Sequence, residues 1–160
     1  MGQQAQAGEG RHDDLRIGRV LALAQKAVHE VIDERLATHG GSLATWLVLH
    51  HAVVEPDLGQ SRLAARLYIE APTLVRHLDK LEADGLLERR RDPRDRRVAR
   101  IRVTEAGMQA EARMRETVDA LNAELAALLG ADNDAFLRAL EKIRAHALDS
   151  LAERKRDVAS

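Results

Sequence analysis

Apolar residues recur at spacings of three and four through both ends of this chain, and a segment with that period folds as an amphipathic helix. From Leu15 to Leu36 the positions Ile17, Val20, Leu21, Ala24, Val28, Val31, Ile32 and Leu36 keep to it, and Gly40 and Gly41 end the segment. Near the other end Thr104, with Glu105 in the first turn, opens a long helix to about Leu129, in which Val118, Leu121, Leu125 and Leu128 form a stripe. Gly130 breaks it and Asp132 caps a final helix with Phe136, Leu140, Ile143, Ala147 and Leu151 along one face. These flanking helices have no sheet to pack on, so their stripes are expected to meet a second copy of the chain.

Between the flanks the punctuation is denser. Ser42 can cap a helix through Thr45, Trp46, Leu47, Leu49 and Val53, closed by Pro56 and Gly59. It is apolar nearly all round, which predicts deep burial. Ser61 is a candidate N-cap for a short helix from Arg62 to Tyr68, with Leu63, Ala64 and Leu67 inward. Pro72 stands in the first position of a further helix that runs through Asp84 and stops at Gly85. Its inward stripe reads as Leu74, Val75, Leu78 and Leu81, and Thr73, Arg76, His77 and Lys80 lie on the other side. Two short strands follow, Leu86 to Arg90 and Val98 to Val103, with Ile101 and Val103 on one face and Arg100 and Arg102 on the other. The expected fold class is mainly α with a small β wing.

Charge is distributed to match. The 160 residues carry 25 Lys+Arg and 26 Asp+Glu, a net of −1. From Gln60 to Arg102, however, twelve basic residues face seven acidic ones, a local +5, and the remainder of the chain is −6. A basic centre between acidic flanks predicts a polyanionic partner for the centre. Eight arginines and two aspartates lie between Arg89 and Arg102, with no lysine, which suits planar recognition of phosphate or entry into a narrow minor groove. The same run also fits a plain solvated surface.

Other classes lose support. With no cysteine, disulfides, thiolate metal sites and thiol redox sensing are excluded. Seven scattered histidines form no metal-ligand spacing, and the adjacent His50 and His51 point about 100° apart on a helix. There is no nucleophile elbow, phosphate-binding glycine loop or facing carboxylate pair, so neither catalysis nor a cofactor is expected. No apolar run approaches a membrane span and the first dozen residues lack the apolar stretch of a signal peptide, so a soluble cytoplasmic protein is expected.

Helix, short helix, Pro-started helix and basic hairpin, in that order, make a winged helix-turn-helix. A B-DNA major groove admits one α-helix whose first turns reach base edges, and a neighbouring hairpin can follow the backbone into the minor groove. Thr73, Arg76 and His77 sit in those turns, with Arg76 suited to bidentate contact with guanine. Ser61 and Arg62, at a helix start, suit phosphates.

The stretch from Ile69 to Arg89, the loop Asp92-Pro93-Arg94-Asp95-Arg96-Arg97 and the segment Val103-Thr104-Glu105-Ala106-Gly107 closely resemble the MarR family of bacterial regulators. The Pro72-Thr73-Leu74-Val75-Arg76 segment, the Asp95-Arg96-Arg97 tip and the Thr45-Trp46 pair resemble its SlyA branch. The likeness covers roughly residues 15 to 155. It implies a homodimer with residues 15–41 and 104–156 as dimerisation helices, 42–103 as the DNA-binding domain, a flexible 1–14 and a tail of 157–160. It implies a pseudo-palindromic operator, repression, Arg76 in the major groove and Arg97 in the minor groove, with Arg94 and Arg96 also on the wing and Asp95 orienting the wing arginines. Family members released by small aromatic carboxylates hold them between lobes, which by position falls near Arg35, Trp46 and His50. A lone buried tryptophan is more often plain core than a ligand residue, which is the other reading of Trp46, and a winged helix can also serve as a protein- or RNA-interaction module.

Overall fold

The computed structural model describes residues 16–56, 58–91 and 99–158. Among these residues six helices and a two-stranded sheet follow one another: α1 Arg16–Ala37, α2 Leu43–Val54, α3 Gln60–Leu67, α4 Ala71–Ala83, β1 Leu87–Arg91, β2 Ala99–Val103, α5 Glu105–Leu129 and, after a 3₁₀ turn at Gly130–Asp132, α6 Asn133–Val158. None of these helices is long and apolar enough to cross a membrane. The chain divides into two compact units, Met1–Val118 and Asp119–Ser160, the division falling inside α5.

In the first unit local chemistry places each helix. At the end of α1 the Gly41 N–H donates to the Leu36 carbonyl and the Gly40 N–H to that of Ala37, with Gly40 left-handed at φ 72°. This paired closure satisfies carbonyls that the helix itself leaves open. Ser42 caps α2 as its position predicts, its hydroxyl accepting from the Thr45 N–H at 3.2 Å. Asp33 of α1 adds a second acceptor for that end, taking the Leu43 N–H at 2.7 Å. α2 packs on α1, α3, α4 and β2, with Val48, Leu49 and Ala52 buried. Its burial is less complete than its composition predicts, since Trp46 and Leu47 are half-buried and Val54 is 61% exposed.

Three boundaries differ from the sequence reading. α3 begins at Gln60 with Gly59 as its N-cap and no capping side chain, so Ser61 lies within the first turn and is not the cap. Tyr68 is outside that helix, in left-handed conformation. Pro72 occupies the second helical position of α4, where its missing N–H is still one the helix would leave unpaired. The end of α4 is as expected: the Leu86 N–H donates to the Leu81 carbonyl and the Gly85 N–H to that of Glu82, with Gly85 at φ 71°.

β1 and β2 pair antiparallel, each shifted one residue from the expected start, with Leu87 opposite Val103, Glu88 opposite Arg102 and Arg89 opposite Ile101. Gly59, just ahead of α3, bridges to Arg100, so the sheet's edge is tied to the start of the helix-turn-helix. Thr104 then does two things. Its hydroxyl donates to the Gly85 carbonyl at 2.8 Å and accepts from the Gly107 N–H at 3.0 Å, capping α5. A Cβ built on Gly107 would lie 1.9 Å from the Leu86 carbonyl oxygen, so only glycine lets α5 start this close to the end of α4.

The core of this unit is aliphatic. Leu36, Leu49, Leu63, Leu74, Leu78, Leu81, Leu87 and Ile101 are essentially inaccessible, and Met114 sets its sulfur against Gly41. At about 1.5–3 kcal/mol for each large side chain fully buried, the three leucines of α4 fix which face that helix turns outward.

In the second unit Gly130, at φ 54°, separates α5 from α6. Along α6 Phe136, Leu137, Ile143 and Leu151 are 39–53% exposed.

Candidate nucleic-acid interface

The buried face of α4 is Leu74, Leu78 and Leu81, spaced i, i+4 and i+7. Val75, expected on that face, is 38% exposed instead. The reason is geometric, for a step of one residue turns about 100° about the axis and carries Val75 off the leucine line. Pro72, Arg76 and Lys80 are exposed on the outward side, and Thr73 and His77 are half-buried beside them. The four expected recognition-helix residues Thr73, Arg76, His77 and Lys80 therefore share one side of α4.

They are not equally available. Lys80 Nζ lies 3.3 Å from the Asp84 carboxylate, one turn on. Arg76 has no ion pair or hydrogen bond among the described residues and stands in the second turn, opposite the leucine stripe. It is the cation best placed to enter a groove about 12 Å wide that admits one helix. At the start of α3, Ser61 and Arg62 are both exposed beside N–H groups that the helix leaves without internal partners.

The hairpin arginines divide likewise. Arg89 has the parity of Leu87, which puts it on the buried face of β1, and its guanidinium runs out to α4. Its Nη2 donates to Asp79 Oδ1 at 2.6 Å, its Nε to Glu82 Oε2 at 2.9 Å, and its backbone N–H to Glu82 Oε1 at 3.0 Å. These bonds, the Glu82 side chain foremost, raise the Arg89 pKa, and the Arg89 side chain in turn holds the Glu82 carboxyl below the usual glutamate range. Arg89 is an internal tie between wing and helix. Arg90 pairs with Glu88 at 2.8 Å, leaving Arg102 exposed on that outer face. The wing-tip positions Arg94, Asp95, Arg96 and Arg97 lie outside the described residues.

Of the residues expected around an effector, two meet. The rings of Trp46 and His50 stack with centroids 5.0 Å apart, and His50 Nδ1 lies 2.9 Å from Glu111 Oε1. Glu111 is buried on α5, with Arg115 3.9 Å from the same oxygen. The indole Nε1 of Trp46 is buried without a hydrogen-bond partner among the described residues. Arg35 is half-buried on the last turn of α1. Burial holds the neighbouring His51 imidazole below its ordinary value, and His50 beside it acts in the same sense.

Two participants escaped the sequence reading. Arg89 could have been found by strand parity, since it alternates with Leu87. Glu111 could have been found as an acid on the stripe that also carries Gly107, Ala110, Met114 and Val118.

Residues 42–99 match the model of the MarR family. Among solved structures the chain is similar to the transcriptional repressor CouR bound to a 23-mer DNA duplex, at 33% identity over 89% of this chain and 99% of that one, with a TM-score of 0.78. CouR bound to p-coumaroyl-CoA is 31% identical over 88% of this chain and 98% of that one, with a TM-score of 0.74. A mutant MarR from E. coli complexed with operator DNA is 25% identical over 81% of this chain and 94% of that one, with a TM-score of 0.73.

Proposed function

The chain belongs to the MarR family of transcriptional regulators, and we propose that it binds a pseudo-palindromic operator in double-stranded DNA, sequence-specifically and as a homodimer, to repress transcription in the cytoplasm. The observation that carries this reading is Arg76. It is exposed on a helix locked by three buried leucines, and it has no partner among the described residues, whereas Arg89 beside it is held internally by Asp79 and Glu82. α4 supplies base contacts, the start of α3 supplies phosphate contacts through Ser61 and Arg62, and Arg94, Arg96 and Arg97 extend along the neighbouring backbone with Asp95 orienting them.

The dimer rests on residues 15–41 and 104–156. On α1, Ile17, Val20 and Leu23 are 57–68% exposed, an apolar series that water alone would not favour and that a second copy would cover. Two recognition helices on a two-fold axis then sit about one helical turn of DNA apart. The matched Pro72 to Arg76 segment and the Thr45-Trp46 pair support the SlyA branch.

An aromatic carboxylate or phenol near Arg35, Trp46 and His50 is the proposed effector. Support comes from the stacked Trp46 and His50 rings and from the structure of CouR with p-coumaroyl-CoA. Such a ligand acts only through differential affinity for the DNA-competent and DNA-incompetent states.

Selection from a pool of random duplexes by the purified chain tests the reading. A recovered palindrome with a large specific-to-nonspecific ratio that persists as salt is raised is the expected outcome. Equal affinity for recovered and scrambled duplexes would instead indicate a protein- or RNA-interaction module.

A further inference from the structure

With Leu74, Leu78 and Leu81 buried, the rotation of α4 is set, and so is the direction of every other side chain on it. Arg76 points away from the leucines. Beside it, in the first two turns, stand three apolar residues that are all exposed: Ala71, Pro72 and Val75, the last at 38%. Pro72 precedes Arg76 by four residues and Val75 by three, and Ala71 precedes Val75 by four, so the three line one edge next to the arginine. Asp79 and Glu82, which hold Arg89 of β1, follow Val75 at i+4 and i+7. The apolar edge therefore runs between Arg76 and the side of α4 to which the wing is tied.

Helix propensity does not favour valine at such a place, since a β-branched residue on an exposed helix face is a poorer helix former than Ala, Lys or Glu. A single exposed apolar residue is ordinary on any protein surface. An apolar edge on the turns that reach base edges is different, because of what the groove offers it. Base pairs present donors and acceptors in the major groove and one apolar group, the C5-methyl of thymine. A cation flanked by aliphatic carbon is thus complementary to the acceptors of a guanine flanked by a thymine methyl.

We propose that Val75 is a specificity-determining residue that packs on the C5-methyl of a thymine neighbouring the base pair that Arg76 reads, with Pro72 beside it as the other wall of the contact. The inference rests on the DNA-binding reading and adds a preferred base to it. The contact is apolar, so it releases no counterion and leaves the salt dependence of binding to the arginines.

The test takes the duplex recovered by selection and replaces each thymine of one half-site in turn by deoxyuracil, which removes the methyl and keeps the pairing and the O4 acceptor. Full-length wild type and Val75→Ala are titrated against the whole set, with a thermal melt of each protein. Wild type is expected to lose about three- to fivefold at one thymine, the value of one methyl taken out of a buried contact. Val75→Ala is expected to bind the unmodified duplex weaker by a similar factor, to be indifferent to uracil at that same thymine, and to melt within a few degrees of wild type. The wild-type scan needs no variant, so it decides the matter even where Val75→Ala folds poorly: a scan in which no thymine methyl counts overturns the proposal. Equal sensitivity to uracil in wild type and Val75→Ala also overturns it, by giving the methyl to another residue. Either result leaves sequence-specific binding itself intact. Wild type that prefers no duplex over a scrambled one overturns the underlying reading and this contact with it.

Discussion

Glu82 holds Arg89 twice over, with Oε1 taking the backbone N–H at 3.0 Å and Oε2 taking Nε at 2.9 Å, so one carboxylate on α4 fixes both the strand and the side chain of β1. Removing the acceptor leaves a half-buried guanidinium with Asp79 alone. Glu82→Ala is expected to cost about 1–3 kcal/mol of stability and to weaken all duplexes in parallel, since it loosens wing against helix and removes no base contact. Chemical denaturation and binding to two unrelated duplexes check this. A change in base preference would contradict the tie.

The same pair predicts a pH dependence. Because the folded-state pKa of Glu82 is depressed by Arg89, its contribution is fully present above the unfolded glutamate value of about 4.3 and is lost as pH falls through the lower folded value. Acid unfolding of Glu82→Gln should therefore show a shallower loss of stability below about pH 4 than the wild type. Identical slopes would refute a specific role for this carboxylate.

Arg76→Ala is expected to cost about 1–3 kcal/mol on the operator and to relax base preference at one position in each half-site. Arg94→Ala should weaken all DNAs alike and reduce the salt slope by about one. Repeating the duplex selection with each variant separates the two effects. An unchanged preferred sequence and affinity in Arg76→Ala would mean that α4 meets DNA in another register.

Gly107→Ala should destabilise by about 1–3 kcal/mol, because the new methyl meets the Leu86 carbonyl and Val103 Cγ1 at 2.7 Å, neither of which can move without disturbing the wing. Gly18→Ala, within α1, is the control, with nothing within 4 Å of the added carbon and an expected change between neutral and a stabilisation of about 1 kcal/mol. Thermal melts of both proteins decide it, and equal melting temperatures would show that α5 can shift at this joint.

Trp46 is the only tryptophan, so its fluorescence reports one site. Titration with salicylate is expected to change that emission and to weaken operator binding over the same concentration range, as linkage requires. Emission that changes with no effect on DNA affinity would separate the site from regulation.

What could be read in the sequence was chemistry that acts within a turn or two. Ser42, Gly40, Gly85 and Thr104 announce helix ends by the bonds their side chains or backbones make there, and all four do so in the fold. The sequence places the end of α3 one residue late, at Tyr68, because the left-handed position that Tyr68 fills is ordinarily marked by glycine. The apolar type of Val75 suggests the inward face, but its angular position on α4 places it off the leucine line. In the sequence Arg89 is one of a run of hairpin cations, since its partners Asp79 and Glu82 lie ten and seven residues back on another element and only the strand register brings them together.

The contact between Gly107 and Leu86 is backbone against backbone, and that bears on how motion travels. A joint made of side chains has rotamers with which to absorb a displacement, but this one has none. Any tilt of the first turns of α5 is delivered without slack to the end of α4 and the root of β1. The glycine acts as a bearing surface, and the recognition helix and the wing are the two arms of the lever that turns on it.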